Sequence, residues 1–369
     1  MQKYAPLLLF ATLALVGTQP AVAQDRGSGV VFVQTNEPSG NKIDVFDRGA
    51  DGRLTLAGTF PTGGLGGVAA PGSESDHLAS QGSLVLSPDG RALIAVNAGS
   101  DTVTAFRVHG DRLQLRNVVS SGGEFPASVA VHDDLVYVLN SGGTGIVQGF
   151  QLRGDGLVAI PGSARTLGLA NGDPPDFLTA PGQVDFTPDG GKLLVTTKAS
   201  TSSIDVFDVG TDGRLSASPV VNPSATPVPF AFTFGSQGRL VAGEAGTSSV
   251  TTYAIGTGGT LSDPKSQSDG QVALCWIHRV GDIYFVSNTG SNTLSSFAVD
   301  SSGQPTLLHA IAATTNPGPI DLAASGGFLY AETGTRGTVD EFAVNGDGTL
   351  TPIGVVSGLP PGIEGIAAS

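Results

Sequence analysis

A four-residue phrase recurs seven times along the chain: an aliphatic residue, two variable residues and an aromatic ring. The copies are Ile43–Phe46, Val103–Phe106, Val147–Phe150, Ile204–Phe207, Val250–Tyr253, Leu294–Phe297 and Val339–Phe342. Most successive copies lie about 45 residues apart, and two of the intervals are longer. A period of this length is typical of repeat architectures such as solenoids and propellers.

Turn signals surround each copy of the phrase. A turn and a leucine follow it, as in Asp212–Leu215, and another hairpin precedes it, plainest at Ser87–Gly90 and Thr187–Gly190. In Pro-Asp-Gly, proline presets φ for the turn and glycine takes the left-handed position, so this sequence reverses a strand. Each unit therefore contains four short strands. In the second unit we expect them at 83–86, 92–96, 103–108 and 113–119.

Seven such units predict an all-β fold, a seven-bladed β-propeller with four antiparallel strands per blade. Residues 362–369 resemble the first strand of a blade whose other three strands are missing. Val30–Val33 resembles the second strand of a blade whose first strand is missing. These two segments are expected to share one blade, which closes the ring and leaves no open sheet edge. Residues 24–369 then form a single domain.

Two repeats exceed the common length, which places insertions at about 61–80 and 165–182. Both fall between the last strand of one blade and the first strand of the next, and both are rich in Gly, Pro and Ala, as surface loops are. On a propeller these connections share one face, which we call the crown face. The crown face is where a functional site is expected.

Composition agrees with this architecture and narrows the class of partner. The chain contains 54 Gly and 23 Pro, and 40% of its residues are hydrophobic while only 14% are charged, which argues against disorder. A net charge of −14 disfavours nucleic acids and anionic membranes, which bind Lys and Arg patches. Cys275 is the single cysteine, so no intramolecular disulfide can form. We expect a monomer that binds a small molecule.

The N-terminus has the pattern of a signal peptide, residues 1–23. Lys3 supplies a positive charge, residues 6–17 form an apolar run, and Ala21-Val22-Ala23 places small residues at the −3 and −1 positions of a cleavage site. A transmembrane anchor is the alternative, but Gln19-Pro20 ends the run too early for it. We expect export to the periplasm or the extracellular space after cleavage near Ala23.

The first residues of the inner strands form one ring of candidate site residues around the channel. They are Ser83, Ser128, Gln183, Phe230, Leu274 (or Cys275), Asp321 and Glu364. Asp321 and Glu364 belong to blades that become neighbours when the ring closes. Paired carboxylates can bind a cation or act as general acid and base. The structural alternative is a polar, water-filled channel without chemistry.

The ends of the second strands give another polar ring. Its members are Asn36 or Glu37, Asn97, Asn140, Lys198, Glu244, Asn288, and Glu332 or Thr333. Asparagine at a strand end commonly caps the following turn, which is the structural interpretation of Asn97, Asn140 and Asn288. Lys198 and Glu244 lie at matching positions of adjacent blades, so we expect them to face one another, as an ion pair or as ligand contacts.

None of the five histidines has the spacing of a zinc motif. His77 lies in the first insertion with Glu74 and Asp76 and is placed to reach over the channel, with a solvated loop histidine as the alternative. His278 follows Trp276 near a blade-six hairpin and is expected to pack there. Whether the channel holds a divalent metal is left open by the sequence.

The segments Ser87–Asn97, Gly99–Phe106 and Asp212–Leu215 resemble the propeller-fold lactonase family. That family includes 6-phosphogluconolactonases and carboxy-muconate lactonising enzymes, the muconate cyclases, so the resemblance implies a propeller with lactone chemistry. Members resemble one another in a Pro-His-Ser-Val stretch that opens a middle blade and in a later arginine. Here Gly182 and Gln183 stand where that histidine is expected, and Ser203 stands where the arginine falls.

These observations support an exported lactonase-like hydrolase that binds a small lactone at the channel mouth on the crown face. In this hypothesis Glu244 activates water and Lys198 stabilises the developing negative charge. Substrate contacts, or ligands for a divalent metal, are expected from Gln183, Asp321, Glu364, Asn97, Asn288 and His77. A non-catalytic propeller that binds a protein, glycan or small ligand is the alternative, and a muconate-type cycloisomerase is a further one.

Overall fold

The computed structural model describes residues 28–70 and 74–369, together with Met1. These residues form seven antiparallel sheets of four strands, and one sheet has a short fifth strand. In chain order the strands are β1 (Gly29–Gln34), β2 (Lys42–Arg48), β3 (Leu54–Pro61), β4 (Leu84–Leu86), β5 (Ala92–Asn97), β6 (Thr102–His109), β7 (Arg112–Ser120), β8 (Pro126–His132), β9 (Leu135–Asn140), β10 (Ile146–Arg153), β11 (Gly156–Ala159), β12 (Arg165–Thr166), β13 (Gln183–Phe186), β14 (Lys192–Thr196), β15 (Ser203–Asp208), β16 (Val220–Pro223), β17 (Pro229–Phe234), β18 (Leu240–Glu244), β19 (Ser249–Ile255), β20 (Leu261–Ser268), β21 (Leu274–Val280), β22 (Ile283–Asn288), β23 (Thr293–Val299), β24 (Pro305–Thr314), β25 (Pro319–Ser325), β26 (Phe328–Thr333), β27 (Thr338–Val344), β28 (Leu350–Val356) and β29 (Ile366–Ala368). A 3₁₀ turn at Ala98–Ser100 is the only helix of the described residues.

Each sheet is one blade of a propeller. Blade 1 contains β29, β1, β2 and β3, and blades 2 to 7 begin at β4, β8, β13, β17, β21 and β25. These first strands contact their counterparts in the neighbouring blades around the whole ring. The predicted seven-bladed propeller is confirmed, and the four strands expected in blade 2 agree with the observed ones to within a residue or two.

The repeated aromatic residue lies on the third strand of every blade, and its side chain is buried each time. Phe207, for example, packs with Leu193 and Val195 of its own blade and with Tyr137 and Leu139 of the blade before it. The aromatic ring therefore joins adjacent sheets. This is why the phrase repeats once per blade, since each blade must bury the same face against its neighbour.

We expect Phe207→Ala to lower the free energy of unfolding by about 3–5 kcal/mol, the usual cost of a cavity left by a buried phenylalanine. The measurement is urea unfolding followed by circular dichroism. Leu56→Ala is the matched control, because Leu56 is 57% exposed on an outer strand. Equal losses in the two variants would show that the repeated ring does not join the blades.

The two ends of the described chain meet in blade 1. Strand β29 pairs antiparallel with β1, with Val31 opposite Ala368 and Val33 opposite Ile366. Two backbone hydrogen bonds extend the ladder, from Gln34 N to Gly365 O at 2.8 Å and from Ser369 N to Val30 O at 2.9 Å. The predicted closure of the ring by residues from both termini is confirmed.

The two insertions lie between blades 1 and 2 and between blades 3 and 4, as expected, and they contact each other. Ala70 forms a parallel bridge with Asp176. Its amide donates to Pro175 O and its carbonyl accepts from Phe177 N, both at 3.0 Å. The two insertions therefore form one continuous cover on the crown face.

Residues 76–82 of the first insertion, which we call the plug, cross the crown-side mouth of the channel. The amide of Gln81 donates to Gly182 O of the second insertion at 3.0 Å, and Ser80 Oγ donates to Ala127 O of blade 3 at 2.7 Å. On the other side of the ring, the Trp276 indole of blade 6 donates to Ser80 O at 2.9 Å. The plug is therefore tied to blades all around the channel.

Residues 2–23 of the signal peptide expected from the sequence lie outside the described residues. Within the described part of the chain, no helix is long and apolar enough to span a membrane.

Candidate functional site

The inner strands enclose a cavity of about 350 Å³ that begins below the plug. It extends from Gln81 and Gly82 of the plug to Pro88, in a hairpin turn on the face opposite the crown. Most of the residues that line it are apolar. The polar side chains are Gln81, Gln183, Asp185, His278 and Asp321, and no Lys or Arg is among the lining residues.

Two of these side chains are carboxyl groups that titrate near neutrality. Burial raises the pKa of Asp185 to about 7 and the pKa of Asp321 to about 7. The Asp185 carboxylate accepts a hydrogen bond from Phe186 N at 2.8 Å, and that of Asp321 accepts one from Leu322 N at 2.9 Å. Both groups are therefore present in acid and base forms at pH 7, the condition under which proton transfer is most efficient.

His278 supplies the third titratable group of the cavity. Burial lowers its pKa to about 4, so the imidazole is neutral at pH 7. A neutral imidazole carries one N–H donor and one acceptor nitrogen. The sequence interpretation of His278 as a packing residue therefore missed its place in the cavity lining.

The Gly182-Gln183 pair has a structural explanation. A Cβ atom at position 182 would lie 2.6 Å from Phe230 O, so the close approach of blade 5 leaves no room for a side chain there. The Gln183 amide donates to Phe232 O at 3.1 Å and accepts from Phe232 N at 2.7 Å. Gln183 lines the cavity as predicted, yet its amide joins blades 4 and 5.

Further buried carboxyl groups lie beside Asp321, towards the plug. Glu364 accepts from Leu78 N at 2.5 Å, Asp76 accepts from Ala79 N at 2.6 Å, and Glu332 accepts from Gly365 N at 2.9 Å. Burial raises the pKa of Asp76 to about 6. It also raises the pKa values of Glu364 and Glu332 well above their usual range, and nearby carboxyl groups add to both shifts. Asp321 and Glu364, predicted to be close, thus belong to one electrostatic group that includes Glu332.

Lys198 is the buried cation nearest to this group. Its ammonium donates to Ala79 O of the plug at 2.6 Å and to Phe177 O of the second insertion at 2.7 Å. It also lies 5.3 Å and 5.0 Å from the ring centres of Phe177 and Phe230. Burial lowers the pKa of Lys198 to about 8, against the opposing charge of Asp76. Lys198 therefore holds both insertions against blade 4.

Glu244 lies in a different environment. Its buried carboxylate accepts hydrogen bonds from four hydroxyl groups: those of Ser224, Thr226, Thr251 and Tyr253. Of the two alternatives predicted for Lys198 and Glu244, the ion pair does not form, because no ion pair among the described residues joins them. Glu244 is held by hydroxyls from blade 5 and the chain leading into it, whereas Lys198 reaches the cover. Neither side chain lines the central cavity.

The remaining predicted residues are held by contacts inside the fold. Asn97 accepts from Asn41 Nδ2 at 3.0 Å and donates to Thr104 Oγ1 at 2.9 Å, and Asn288 donates to Ser295 Oγ at 2.7 Å. The half-buried His77 lies against the backbone at Gly362, and burial lowers its pKa. None of the three lines the central cavity.

The plug also changes where a ligand can bind. Leu78, Ala79 and Ser80 are fully buried. The crown-side mouth is therefore filled by the chain itself, whereas the sequence predicted an open mouth.

In the described residues, no group of three or more His, Cys, Asp or Glu side chains is arranged to hold a metal ion.

Asp185 is a cavity residue that the sequence pattern alone did not single out. It lies two positions after Gln183 on β13, and alternate residues of a strand point to the same side. Applied to the other inner strands, the same alternation predicts that the residue two positions after each strand's first residue also faces the channel.

Sequence comparison identifies part of this architecture. Residues 27–153 match the family model described as lactonase, 7-bladed β-propeller. The resemblance to that family is therefore supported over the segment that contains blade 2 and most of the strands of blades 1 and 3. No curated protein matches the sequence.

Several solved structures share the whole fold. One, from Bacteroides fragilis, has a suggested 6-phosphogluconolactonase activity; it is 19% identical with a TM-score of 0.71, over 95% of this chain and 99% of that chain. The periplasmic gluconolactonase of Pseudomonas aeruginosa is 20% identical with a TM-score of 0.69, over 92% and 99% of the two chains. A Lactobacillus plantarum protein is 22% identical with a TM-score of 0.70, over 92% and 98%. At these identities the similarity shows the fold.

Proposed function

We propose that this propeller is a lactonase-like hydrolase whose reaction takes place in the central cavity. The observation that supports this most is the pair of cavity carboxyl groups, Asp185 and Asp321, each with a pKa of about 7. The partial match to the lactonase family model supports the same reaction class. Polar groups that converge on one concave pocket favour an enzyme over a non-catalytic binding module, which would present a flat apolar surface.

Opening a lactone requires one proton to be removed and one to be supplied. In the proposed reaction Asp185 takes a proton from water while the water oxygen attacks the carbonyl carbon. The resulting tetrahedral intermediate collapses, the ring C–O bond breaks, and Asp321 gives its proton to the leaving alkoxide. Asp321 is assigned as the acid because the negative charge of Asp76 adds to burial in raising its pKa, whereas burial alone raises the pKa of Asp185.

His278 is assigned to the carbonyl oxygen. Because its imidazole is neutral at pH 7, it has one N–H group, which can donate a hydrogen bond to the negative charge that develops there. The Gln183 and Gln81 amides are already bonded to backbone groups of Phe232 and Ile277, so they shape the cavity. Glu244 and Lys198 have no part in this mechanism.

The charge of the cavity also defines the substrate class. Its lining has two carboxyl groups and no Lys or Arg, so a phosphate or carboxylate on the substrate would find no cation. Uncharged lactones are therefore the proposed substrates. The product of hydrolysis carries a carboxylate, which the same lining repels, and this favours its release.

We expect the purified protein to hydrolyse glucono-1,5-lactone with a kcat/KM at least about tenfold higher than that for its 6-phosphorylated form, since a tenfold ratio needs only about 1.4 kcal/mol of unfavourable charge interaction. Proton release in a lightly buffered assay measures both rates above the spontaneous reaction. The pH profile for the neutral lactone should be bell-shaped around pH 7. Equal or reversed preference would contradict the substrate class, whereas no activity on any lactone of a broad panel would contradict the reaction itself.

A further inference from the structure

A second and larger concavity lies between blades 2 and 3, on the face opposite the crown. It has a volume of about 1030 Å³, just above the usual range of small-molecule sites. Four arginines line it: Arg91, Arg107, Arg116 and Arg153. We call it the arginine groove. The proposed hydrolase mechanism uses none of these residues.

The arginines are unexpected in a chain of this composition. The net charge is −14, and the whole sequence has only 18 Lys and Arg residues, of which four converge here. The fold does not require them, because the corresponding groove between blades 4 and 5 has one cation, Lys192. That ammonium is already bonded to Asp208 at 2.5 Å and to Thr257 O at 2.7 Å.

The guanidinium groups of the arginine groove are available to a ligand. Within the described residues, no hydrogen bond or ion pair involves the side chain of Arg107 or Arg153. Arg91 is paired only loosely, with its Nε 3.8 Å from Asp89 Oδ2 on an exposed turn. Exposed pairs of this kind contribute little, so a ligand would displace them at small cost.

The guanidinium group of Arg116 is held in one orientation by two hydrogen bonds. Its terminal nitrogens donate to Gly154 O at 2.5 Å and to Gln114 Oε1 at 3.3 Å, which fixes the guanidinium plane. Its Nε is buried and has no hydrogen-bond partner among the described residues. An anionic oxygen entering the groove would meet the fixed Arg116 guanidinium and find the other guanidinium groups beside it.

The groove also carries acceptors, which limits the kind of anion. Asp133 and Asp134 line the side contributed by the β8–β9 hairpin, and Gln151 lies on β10. Carboxylates accept hydrogen bonds from hydroxyl groups and repel a compact polyanion. This combination of arginines and aspartates therefore favours a ligand whose carboxylates bind the arginines and whose hydroxyl groups donate to the aspartates.

We propose that the arginine groove binds a short oligosaccharide of sugar acids. Arginine recognises carboxylates through paired N–H donors, and the groove's volume of about 1030 Å³ accommodates more than one sugar unit. This site is separate from the central cavity, so the proposal does not depend on the hydrolase reaction.

The test is calorimetric titration of the protein with trigalacturonate at low salt, with neutral maltotriose and inorganic phosphate as comparison ligands. We expect trigalacturonate to bind, maltotriose not to bind, and added salt to weaken binding. Arg107→Gln with Arg153→Gln should weaken binding by at least about tenfold, the equivalent of about 1.4 kcal/mol. Arg53→Gln with Arg336→Gln is the matched control, since both arginines are exposed elsewhere on the ring, and it should bind normally.

Three results would overturn the proposal. They are no heat of binding at millimolar trigalacturonate, equal affinity of the two double variants, and phosphate or maltotriose binding as tightly as the acidic trisaccharide. The last of these would show a general anion or sugar surface in place of a sugar-acid site.

Discussion

Asp185→Asn should reduce the kcat/KM for an uncharged lactone by about 10²–10⁴-fold, the usual contribution of a positioned general base. Asparagine has the shape of aspartate but cannot accept the proton of the attacking water. The loss should appear mainly in kcat, because the amide still fills the same part of the cavity. Asp321→Asn should have an effect of similar size, since the leaving alkoxide would lose its proton donor.

Asp208→Asn is the matched control for these variants. Asp208 lies on the third strand of the same blade as Asp185, is exposed, and pairs with Lys192 outside the cavity. It should retain nearly full activity, and circular dichroism should show the same fold in all three variants. A fully active Asp185→Asn protein together with an inactive Glu244→Gln protein would indicate that Glu244 is the catalytic residue, and it would contradict the cavity mechanism.

The architecture can be predicted from the sequence because each blade repeats one local pattern. The aromatic residue of the third strand, represented by Phe207, must meet the adjacent sheet in every blade, so the same phrase recurs. Ring closure follows from the two incomplete segments, since only their pairing removes both free edges. These features depend on contacts within a blade or between consecutive blades.

The site was less predictable because it depends on how non-repeating segments fill the channel. The position of Lys198 at a strand end suggested Glu244 as its partner, but the ammonium bonds to carbonyls of the two insertions, whose path follows no repeat. Asp321 and Gln183 could be placed beside the channel from the sequence because they lie at the start of the inner strands. Asp185 and His278 lie one layer deeper, where only their position in the folded channel marks them.

The group of buried acids that surrounds the cavity has a consequence for stability. Asp185 and Asp321 have pKa values of about 7, and Asp76 has a pKa of about 6, against 3.8 for an unperturbed aspartate. Between about pH 4 and 7 the folded protein therefore binds more protons than the unfolded chain, and its stability falls as the pH rises. The raised pKa values of Glu332 and Glu364 act in the same direction.

Two histidines oppose this trend. The pKa of His278 is lowered to about 4 and that of His77 is also lowered, so between about pH 4 and 6.5 the unfolded chain binds more protons at these positions. The surface aspartates with lowered pKa values, such as Asp89 and Asp189, change stability only below their unfolded value of 3.8. Asp44, Asp205, Asp269 and Glu341 also have raised pKa values and act with the five carboxyl groups. The lowered pKa of Lys198, about 8, acts against them mainly above pH 8. The carboxyl groups thus outweigh the two histidines, and the net change is a loss of stability towards pH 8.

We therefore expect the free energy of unfolding in urea to be lower at about pH 8 than at about pH 5 by more than about 1.4 kcal/mol, the equivalent of a one-unit shift in a single group. Asp185→Asn should reduce this difference, because the amide does not ionise and its burial is the same at both pH values. At pH 8 that variant should be more stable than the parent protein while being inactive. A parent protein more stable at pH 8 than at pH 5 would show that the cavity acids are ionised in the folded state, and it would remove the proton donor on which lactone opening depends.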